Sequence, residues 1–297
     1  MAQHPPWLRF QAYVVGLPKT GSTSIATVFG NYRSGHEWEL MRLVGAGLAR
    51  SRGELTDAQF LATVGDRLEP AALEMDSATS HYLYTDVLRE RFPRAVFVHT
   101  VRDVRSWVTS LLDMVLRKRL ARRLVDVPYS VWESQYLDMM TEGNYDLDPE
   151  RTADDGSSVP ALMRYWAGHM RQMADHLPAD RSLQVQTREI HQRIADLAAL
   201  VGVPAHTLRA DLAHANRAPV QFDRFAAFDG PELRATYDEY CADIMASVFP
   251  VEHATWQADM AAHDAGRVNS AGWDAYLADS LEWVQAAVAA HGPQSGR

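Results

Sequence analysis

The chain has almost no cysteine: Cys241 is the one residue of that type among 297. An internal disulfide, a cysteine cluster and a Cys-x-x-Cys motif are therefore excluded, and the shortage fits the reducing cytoplasm, where we expect the protein. Long apolar runs are also missing, so no membrane-spanning segment is predicted. Residues 1–10 lack a basic stretch followed by an apolar core, and no secretory signal is predicted.

Positive charge is in short supply as well. Lys and Arg total 29 against 38 Asp and Glu, which gives a formal net charge of −9. A general nucleic-acid-binding protein would carry a basic excess, so no nucleic-acid partner is expected. An anionic ligand would need a few basic residues concentrated at one place. The length is sufficient for a sizeable core without metal or disulfide cross-links.

Short apolar runs alternate with helical patterns along the first two thirds of the chain. Strands are predicted at residues 11–17, 71–75, 95–101 and 182–187. Helices are predicted at residues 22–31, 54–68, 85–92, 103–124 and 190–200. This alternation predicts parallel βαβ units, and hence an α/β fold of three layers with a central parallel sheet flanked by helices.

Residues 1–297 are predicted to form a single domain, with an α/β core at 11–225 and a mainly helical C-terminal extension at 226–297. The acidic, turn-rich stretch 142–158 is interpreted as a surface loop of the core. In the extension, residues 273–290 carry apolar side chains at the spacing of an amphipathic helix. The sequence leaves open whether that helix packs on its own domain or on a second copy in a homo-oligomer.

The loop between the first strand and the first helix carries the most informative motif. It reads Gly-Leu-Pro-Lys-Thr-Gly-Ser-Thr-Ser over residues 16–24. Glycines let successive N–H groups converge on a phosphate, and the helix start and the hydroxyls supply further donors. A nucleotide triphosphatase has lysine directly after the second glycine, but Ser22 stands there and the lysine is Lys19. ATP and GTP are therefore disfavoured as donors.

This loop resembles that of a known enzyme family. The segment Pro18-Lys19-Thr20-Gly21-Ser22-Thr23-Ser24 looks like the 5′-phosphosulfate loop, commonly PKxGT[ST], of sulfotransferases that use 3′-phosphoadenosine 5′-phosphosulfate (PAPS). Ser22 replaces the usual threonine and keeps a hydroxyl. The resemblance implies that the segment binds the cofactor, with Lys19 on the oxygen that bridges phosphate and sulfate and residues 21–24 on the 5′-phosphate.

A second segment resembles the 3′-phosphate site of the same family. Members carry an arginine at the end of a strand and a serine eight positions later on the next helix, and Arg102 and Ser110 stand at that spacing. A guanidinium offers paired donors to a phosphate. Ser106 is the alternative hydroxyl, and Val104 replaces a proline that many relatives have. Arg217 lies where relatives return a loop to the cofactor, which implies a further 3′-phosphate contact.

The match to this family extends over residues 11–225 and implies a P-loop-like fold. It indicates a bacterial enzyme of secondary metabolism that moves a sulfuryl group from PAPS to the hydroxyl of a small molecule, such as a natural product or a glycoside. No metal ion is expected. Two alternatives stay open: a P-loop kinase that uses ATP and Mg²⁺, with Asp76 as the nearest metal ligand, and a non-catalytic nucleotide-binding module.

In-line transfer needs a base that accepts the proton of the acceptor hydroxyl. Some bacterial and heparan-type relatives have a catalytic glutamate after the first helix, and Glu37 is the first choice there, with His36 and Glu39 as alternatives. Cytosolic relatives use a histidine after a comparable strand, so His81 is a rival, and Asp76 lies in the same polar run. The remaining histidines are predicted to be surface residues, among them His169, His176 and His191.

Overall fold

The structure is a computed structural model that describes residues 8–68, 73–125, 131–142, 158–213, 231–263 and 273–291. Within these ranges one parallel sheet is formed by β1 (Ala12–Val14), β2 (Ser34–His36), β3 (Met75–Ser77), β4 (Val96–Val101) and β5 (Ser182–Gln186). The strand order is β2-β3-β1-β4-β5, with every neighbouring pair parallel. The predicted α/β fold with a central parallel sheet is confirmed.

Helices make up most of the rest of the described chain. They are α1 (Ser22–Val28), α2 (Leu40–Ser51), α3 (Asp57–Leu68), α4 (Thr85–Arg91), α5 (Val104–Val125), α6 (Val131–Thr141), α7 (Val159–His176), α8 (Ile194–Val201), α9 (Pro231–Thr236), α10 (Ala242–Val248), α11 (Pro250–His263) and α12 (Trp273–His291). A π-helical turn, Tyr237–Cys241, joins α9 to α10. Among the described residues, no helix combines the length and the apolar character needed to cross a bilayer.

The chain divides into two compact units, residues 1–102 with 169–217 and residues 103–168 with 218–297. The first unit contains the whole described sheet, and the second is helical in its described part. The helical C-terminal extension is thereby confirmed for the residues that the structure describes. The prediction of a single domain stays a prediction.

Alternation along β1 explains why both faces of the sheet are covered. Ala12 and Val14 belong to a buried apolar cluster that also contains residues of α1 and α8. Tyr13 points to the other face, since successive side chains of a strand alternate. Its ring centroid lies 5.2 Å from that of His81 and 5.8 Å from that of Phe92. The predicted three layers are therefore present in the first unit.

Two strands differ from the prediction. The second predicted strand, at 71–75, is displaced: β3 is Met75–Ser77, and residues 71 and 72 lie outside the described part. Strand β2 was not predicted, and it pairs with β3 so that His36 lies level with Ser77. The extra strand matters for the site, because it brings the end of β2 to the same sheet edge as the loop after β1.

Helix α12 packs on α5 within the second unit. Their shared apolar cluster consists of Leu116, Leu120, Tyr276 and Val284. The Tyr276 hydroxyl also donates to Asp113 Oδ1 at 2.6 Å. The C-terminal helix thus packs on a helix of its own chain, while Trp283 stays 45% exposed. Association with a second copy through α12 remains a prediction.

Candidate functional site

The loop between β1 and α1 has a sharply bent backbone. Lys19 has a φ of 67° and Gly21 a φ of 106°, both in the left-handed region. A Cβ atom at Gly21 would lie 2.8 Å from Ile190 Cδ1, so a side chain here would strain the backbone and displace the end of the Ile190 side chain. The Gly21 carbonyl accepts the Ile25 N–H at 3.1 Å, which starts α1. The predicted phosphate loop is therefore a strand-to-helix turn whose backbone favours glycine at this position.

Gly16 allows the loop to lie directly against the end of β4. A Cβ atom there would come 2.0 Å from Thr100 Oγ1 and 2.4 Å from Thr20 Oγ1. The Thr20 hydroxyl donates to the Leu17 carbonyl at 2.6 Å, and its oxygen lies 2.8 Å from Thr100 Oγ1. Because the side chain of Thr20 is 1% exposed, its hydroxyl serves the internal structure of the loop.

The hydroxyls of Ser22 and Thr23 meet the imidazole of His36. His36 Nε2 lies 3.2 Å from Ser22 Oγ and 3.1 Å from Thr23 Oγ1. The Ser77 hydroxyl donates to the Ser22 carbonyl at 2.8 Å, which joins β3 to the same turn. Burial lowers the pKa of His36 below its usual value, and the neighbouring Glu37 carboxylate opposes that shift. This lowered pKa favours the neutral imidazole. The hydrogen bonds of the His36 side chain connect β2 to the loop.

Glu37 follows His36 with a φ of 53°. Its N–H donates to the Ser77 carbonyl at 2.8 Å, and the Thr79 hydroxyl donates to its Oε1 at 3.2 Å. The same oxygen lies 3.9 Å from His36 Nε2, and the side chain is 33% exposed. Glu39, the alternative glutamate, has a side chain that is 41% exposed, and its Oε2 lies 3.2 Å from Nη1 of Arg42 in an ion pair. Glu37 is thus held beside the loop with part of its carboxylate open to solvent.

The two rival candidates for the base, His81 and Asp76, lie inside the fold. His81 is fully buried, and its Nδ1 lies 2.9 Å from the Val14 carbonyl. A carbonyl only accepts, so Nδ1 carries the proton of that hydrogen bond. Asp76 is 3% exposed, and its Oδ2 lies 3.6 Å from His81 Nε2. The structure therefore brings His36 and Glu37 to the loop but encloses His81 and Asp76 in the core.

Of the predicted 3′-phosphate residues, Arg102 belongs to the first unit and Ser110 to the second. Arg102 directly follows the strand, and Ser110 is a buried residue of α5, 2% exposed. Asp103 caps α5: its Oδ1 accepts the Ser106 N–H at 3.0 Å, and its Oδ2 accepts the Ser106 hydroxyl. The alternative hydroxyl, that of Ser106, is therefore engaged in the helix cap. Arg217 lies outside the described residues.

Thr187 is a residue of this sheet edge that sequence reasoning did not single out. It follows β5, and its hydroxyl donates to the carbonyls of Thr20 at 2.6 Å and Val101 at 3.0 Å. The available signal was its place at the carboxyl end of a strand, the edge where ligands bind in open parallel sheets.

A buried histidine pair lies elsewhere in the first unit. His99 Nε2 is 3.2 Å from His169 Nε2, and the residues are 3% and 4% exposed. The prediction that His169 is a surface residue is wrong, because α7 turns it inward one turn before the buried Met173. Burial lowers the pKa of His99 to about 4 and that of His169 well below its usual value. In the described ranges no group of three or more His, Cys, Asp or Glu side chains is placed to hold a metal ion.

Comparison with known proteins supports one family. A family model described as a sulfotransferase domain matches residues 12–208, a span that contains the loop, both candidate bases beside it, and the junction after β4. Among solved structures, the chain is similar to sulfotransferase STF9 from Mycobacterium avium, with 16% sequence identity and a TM-score of 0.40 over 80% of this chain and 76% of that chain. No curated protein matches the sequence.

Proposed function

Because the chain belongs to the sulfotransferase family, we propose that it transfers a sulfuryl group from PAPS to the hydroxyl of a small-molecule acceptor. One observation carries this proposal. The His36 imidazole lies 3.2 Å from Ser22 Oγ and 3.1 Å from Thr23 Oγ1, with the Glu37 carboxylate next to it. A base and the loop that resembles a 5′-phosphosulfate site therefore meet at one place on the sheet edge.

The reaction forms a bond from the acceptor oxygen to sulfur and breaks the bond from sulfur to the bridging oxygen of the phosphosulfate. Lys19 and the N–H groups of the loop stabilise the negative charge that builds up on the leaving phosphate. Glu37 accepts the proton of the acceptor hydroxyl. His36 fixes the hydroxyl groups of Ser22 and Thr23. Because Glu37 is the next residue in the chain, the same contacts help to fix the base relative to the phosphosulfate.

Glu37 is the favoured base for a reason of access. Its carboxylate is partly exposed, accepts one hydroxyl at 3.2 Å, and keeps further lone pairs for an acceptor. Nε2 of His36 already faces two hydroxyls. His81 is completely buried and is bonded to a main-chain carbonyl, so an acceptor cannot reach it without rearrangement of the core.

The resemblance assigns the 3′-phosphate to Arg102, Ser110 and Arg217, and this assignment stays a prediction. It implies that the protein distinguishes a nucleotide with a 3′-phosphate from AMP. Catalysis without a metal, a natural-product or glycoside acceptor, and residence in the cytoplasm also stay predictions. The displaced lysine of the loop argues against an ATP-dependent kinase. The burial of Asp76 is a second argument against one, because Mg²⁺ in such sites keeps several water ligands.

Calorimetric titration with adenosine 3′,5′-bisphosphate, AMP and ATP with Mg²⁺ tests the donor. We expect the bisphosphate to bind without metal, AMP to bind much more weakly, and Arg102→Ala to weaken bisphosphate binding specifically. Saturable binding of ATP with Mg²⁺ and none of the bisphosphate would reverse the assignment in favour of a kinase. Bisphosphate binding without sulfuryl transfer to any of a set of phenols, alcohols and glycosides would indicate a non-catalytic nucleotide-binding module.

A further inference from the structure

The hydroxyl of Thr187 joins three segments of the first unit. Thr187 opens a short 3-10 turn, Thr187–Glu189, directly after β5. Its Oγ1 lies 2.6 Å from the Thr20 carbonyl oxygen and 3.0 Å from the Val101 carbonyl oxygen. Both partners only accept, so the single hydroxyl proton is shared between them in a three-centre hydrogen bond. One side chain thus connects the turn after β5, the loop after β1 and the last residue of β4.

Each carbonyl that Thr187 holds belongs to a peptide plane that begins a predicted phosphate ligand. The Thr20 carbonyl shares its plane with the N–H of Gly21, the first residue predicted to hold the 5′-phosphate. The Val101 carbonyl shares its plane with the N–H of Arg102, the residue predicted to hold the 3′-phosphate. Since the peptide bond is planar, fixing the carbonyl oxygen fixes the direction of the N–H and the starting point of the next residue.

A second contact between the same turn and the loop supports this connection. A Cβ atom at Gly21 would meet Ile190 Cδ1 at 2.8 Å and Thr187 Cγ2 at 3.4 Å. The turn therefore lies against the bare backbone of Gly21, where φ is 106°. The hydroxyl of Thr187 thus holds the Thr20 carbonyl, and apolar atoms of Thr187 and Ile190 lie next to Gly21, whose N–H belongs to the same peptide plane.

We propose that Thr187 is a positioning residue that sets the 5′-phosphate loop and the 3′-phosphate arginine in one fixed relation, so that the two phosphates of the donor are bound cooperatively. The inference rests on the proposed function, because that function supplies the ligand with two phosphates. Thr187 itself touches neither phosphate. Its effect is carried by the peptide planes of Thr20 and Val101.

The test compares three nucleotides on the full chain by calorimetry: adenosine 3′,5′-bisphosphate, AMP and adenosine 3′-monophosphate. Thr187→Val keeps the shape of the side chain and removes the hydroxyl, and we expect it to raise the Kd of the bisphosphate about tenfold or more. Each monophosphate uses one of the two segments, so its Kd should rise by a smaller factor. Thr187→Ser keeps a hydroxyl, and its Kd for the bisphosphate should be within about threefold of that of the unmodified protein.

Thr63→Val is the matched control, because it removes a threonine hydroxyl that donates to a main-chain carbonyl at 2.8 Å on the surface of α3. It should leave all three affinities unchanged. If Thr187→Val does not fold, as urea unfolding would show, Thr187→Ala is the second variant and should give the same pattern.

If Thr187→Val raised the Kd of the bisphosphate and that of AMP by the same factor, or raised neither, the cooperative role of Thr187 would be contradicted. The proposed function would be unaffected. Failure of the unmodified protein to bind the bisphosphate would contradict the proposed function and this inference with it.

Discussion

Lys19 and Glu37 both hold a backbone conformation that side chains disfavour. Their φ values are 67° and 53°, and a residue other than glycine in this region costs about 1–3 kcal/mol. Such strain persists only where the surroundings hold it, and the two hydrogen bonds of Glu37 to the β3 end show how this is done. Both residues therefore present their side chains from a fixed backbone, which suits groups that must meet a ligand at a set place.

Lys19→Met tests the role of the loop lysine. We expect sulfuryl transfer from labelled PAPS to a phenol such as 2-naphthol to fall about 100- to 1,000-fold, the loss typical of one group that stabilises developing charge. Binding of adenosine 3′,5′-bisphosphate should change much less, because the proposed role of the lysine is to stabilise charge that develops on the bridging oxygen only during transfer. Full activity of the variant would remove Lys19 from the mechanism.

Glu37→Gln and Glu39→Gln form a matched pair for the base. Both glutamates have partly exposed side chains and a backbone φ in the left-handed region, and they lie two residues apart. Loss of a general base lowers kcat by about 100- to 10,000-fold, and we expect this loss for Glu37→Gln alone, with the Kd of the bisphosphate unchanged. The opposite pattern would transfer the role to Glu39. Full activity in both variants would remove both glutamates as the base and favour His36.

At the scale of elements, the contact between the loop and β4 sets a strict requirement on Gly16. Gly16→Ala places a methyl group within 2.0 Å of Thr100 Oγ1 and 2.5 Å of the Thr100 carbonyl oxygen. We expect the free energy of unfolding to fall by about 3 kcal/mol or more, measured by urea denaturation. Gly45→Ala is the control, because a Cβ atom there meets nothing within 4 Å in α2. It should stabilise the protein by up to about 1 kcal/mol.

The His99–His169 contact between β4 and α7 makes stability depend on pH. Burial lowers the pKa of His99 from 6.5 to about 4, and its hydrogen bond with Gln184 opposes the shift. The folded protein thus binds this proton less tightly than the unfolded chain, and acid favours unfolding. The contribution of His99 is constant above pH 6.5 and falls as the pH drops from 6.5 to about 4.

Urea unfolding at about pH 7 and about pH 5 measures the contribution of His99 to the free energy of unfolding. The unmodified protein should lose about 2 kcal/mol more between the two conditions than His99→Gln does. The difference between the two proteins matters here, because carboxylates elsewhere titrate in both. Equal losses would show that His99 does not carry the pH dependence.

The elements differ in how far the sequence predicts them, and the reason is physical. Gly16, Gly21 and the apolar run before them predict the loop, because only a few backbone shapes join a strand to a helix there. Strand β2 reads Ser-Gly-His, with no β-branched or aromatic residue, and its extended shape comes from pairing with β3. Helix α2 begins after Glu39 without a side-chain cap hydrogen bond, so the usual start signal is missing.

The site shows the same division. The loop is predicted from its glycines and from its place between a strand and a helix. The roles of Arg102, Ser110, Glu37 and His36 come from the resemblance and remain predictions. The contact of His36 with Ser22 and Thr23 depends on the unpredicted strand β2, so only the folded chain reveals it. Thr187 and the burial of His169 depend on pairings between segments that are distant in the chain, and a pattern in one segment cannot report them.

At the scale of the whole molecule, the C-terminal helix is an integral part of the second unit. Tyr276 is 4% exposed, and its hydroxyl donates to the buried Asp113 at 2.6 Å. We expect Tyr276→Phe to lower the free energy of unfolding by about 2 kcal/mol, since a hydrogen bond to a buried carboxyl group is lost. Asp279→Asn, an exposed change on the same helix, is the control in the same urea experiment. Equal stability of both variants would show that this hydrogen bond contributes little.

The order of the strands in the chain has a consequence for how the protein is made. β5 pairs with β4 from Phe97↔Ser182 to Val101↔Gln186, so residues 102–181 must leave the ribosome before this pairing can form. Until then the nascent chain exposes one edge of β4, a surface on which other strands can pair. The loop after β1 also lacks its hydrogen bond from Thr187 during this interval. A truncated chain released before residue 182 should therefore aggregate and fail to retain the bisphosphate, although it already contains every residue of the loop.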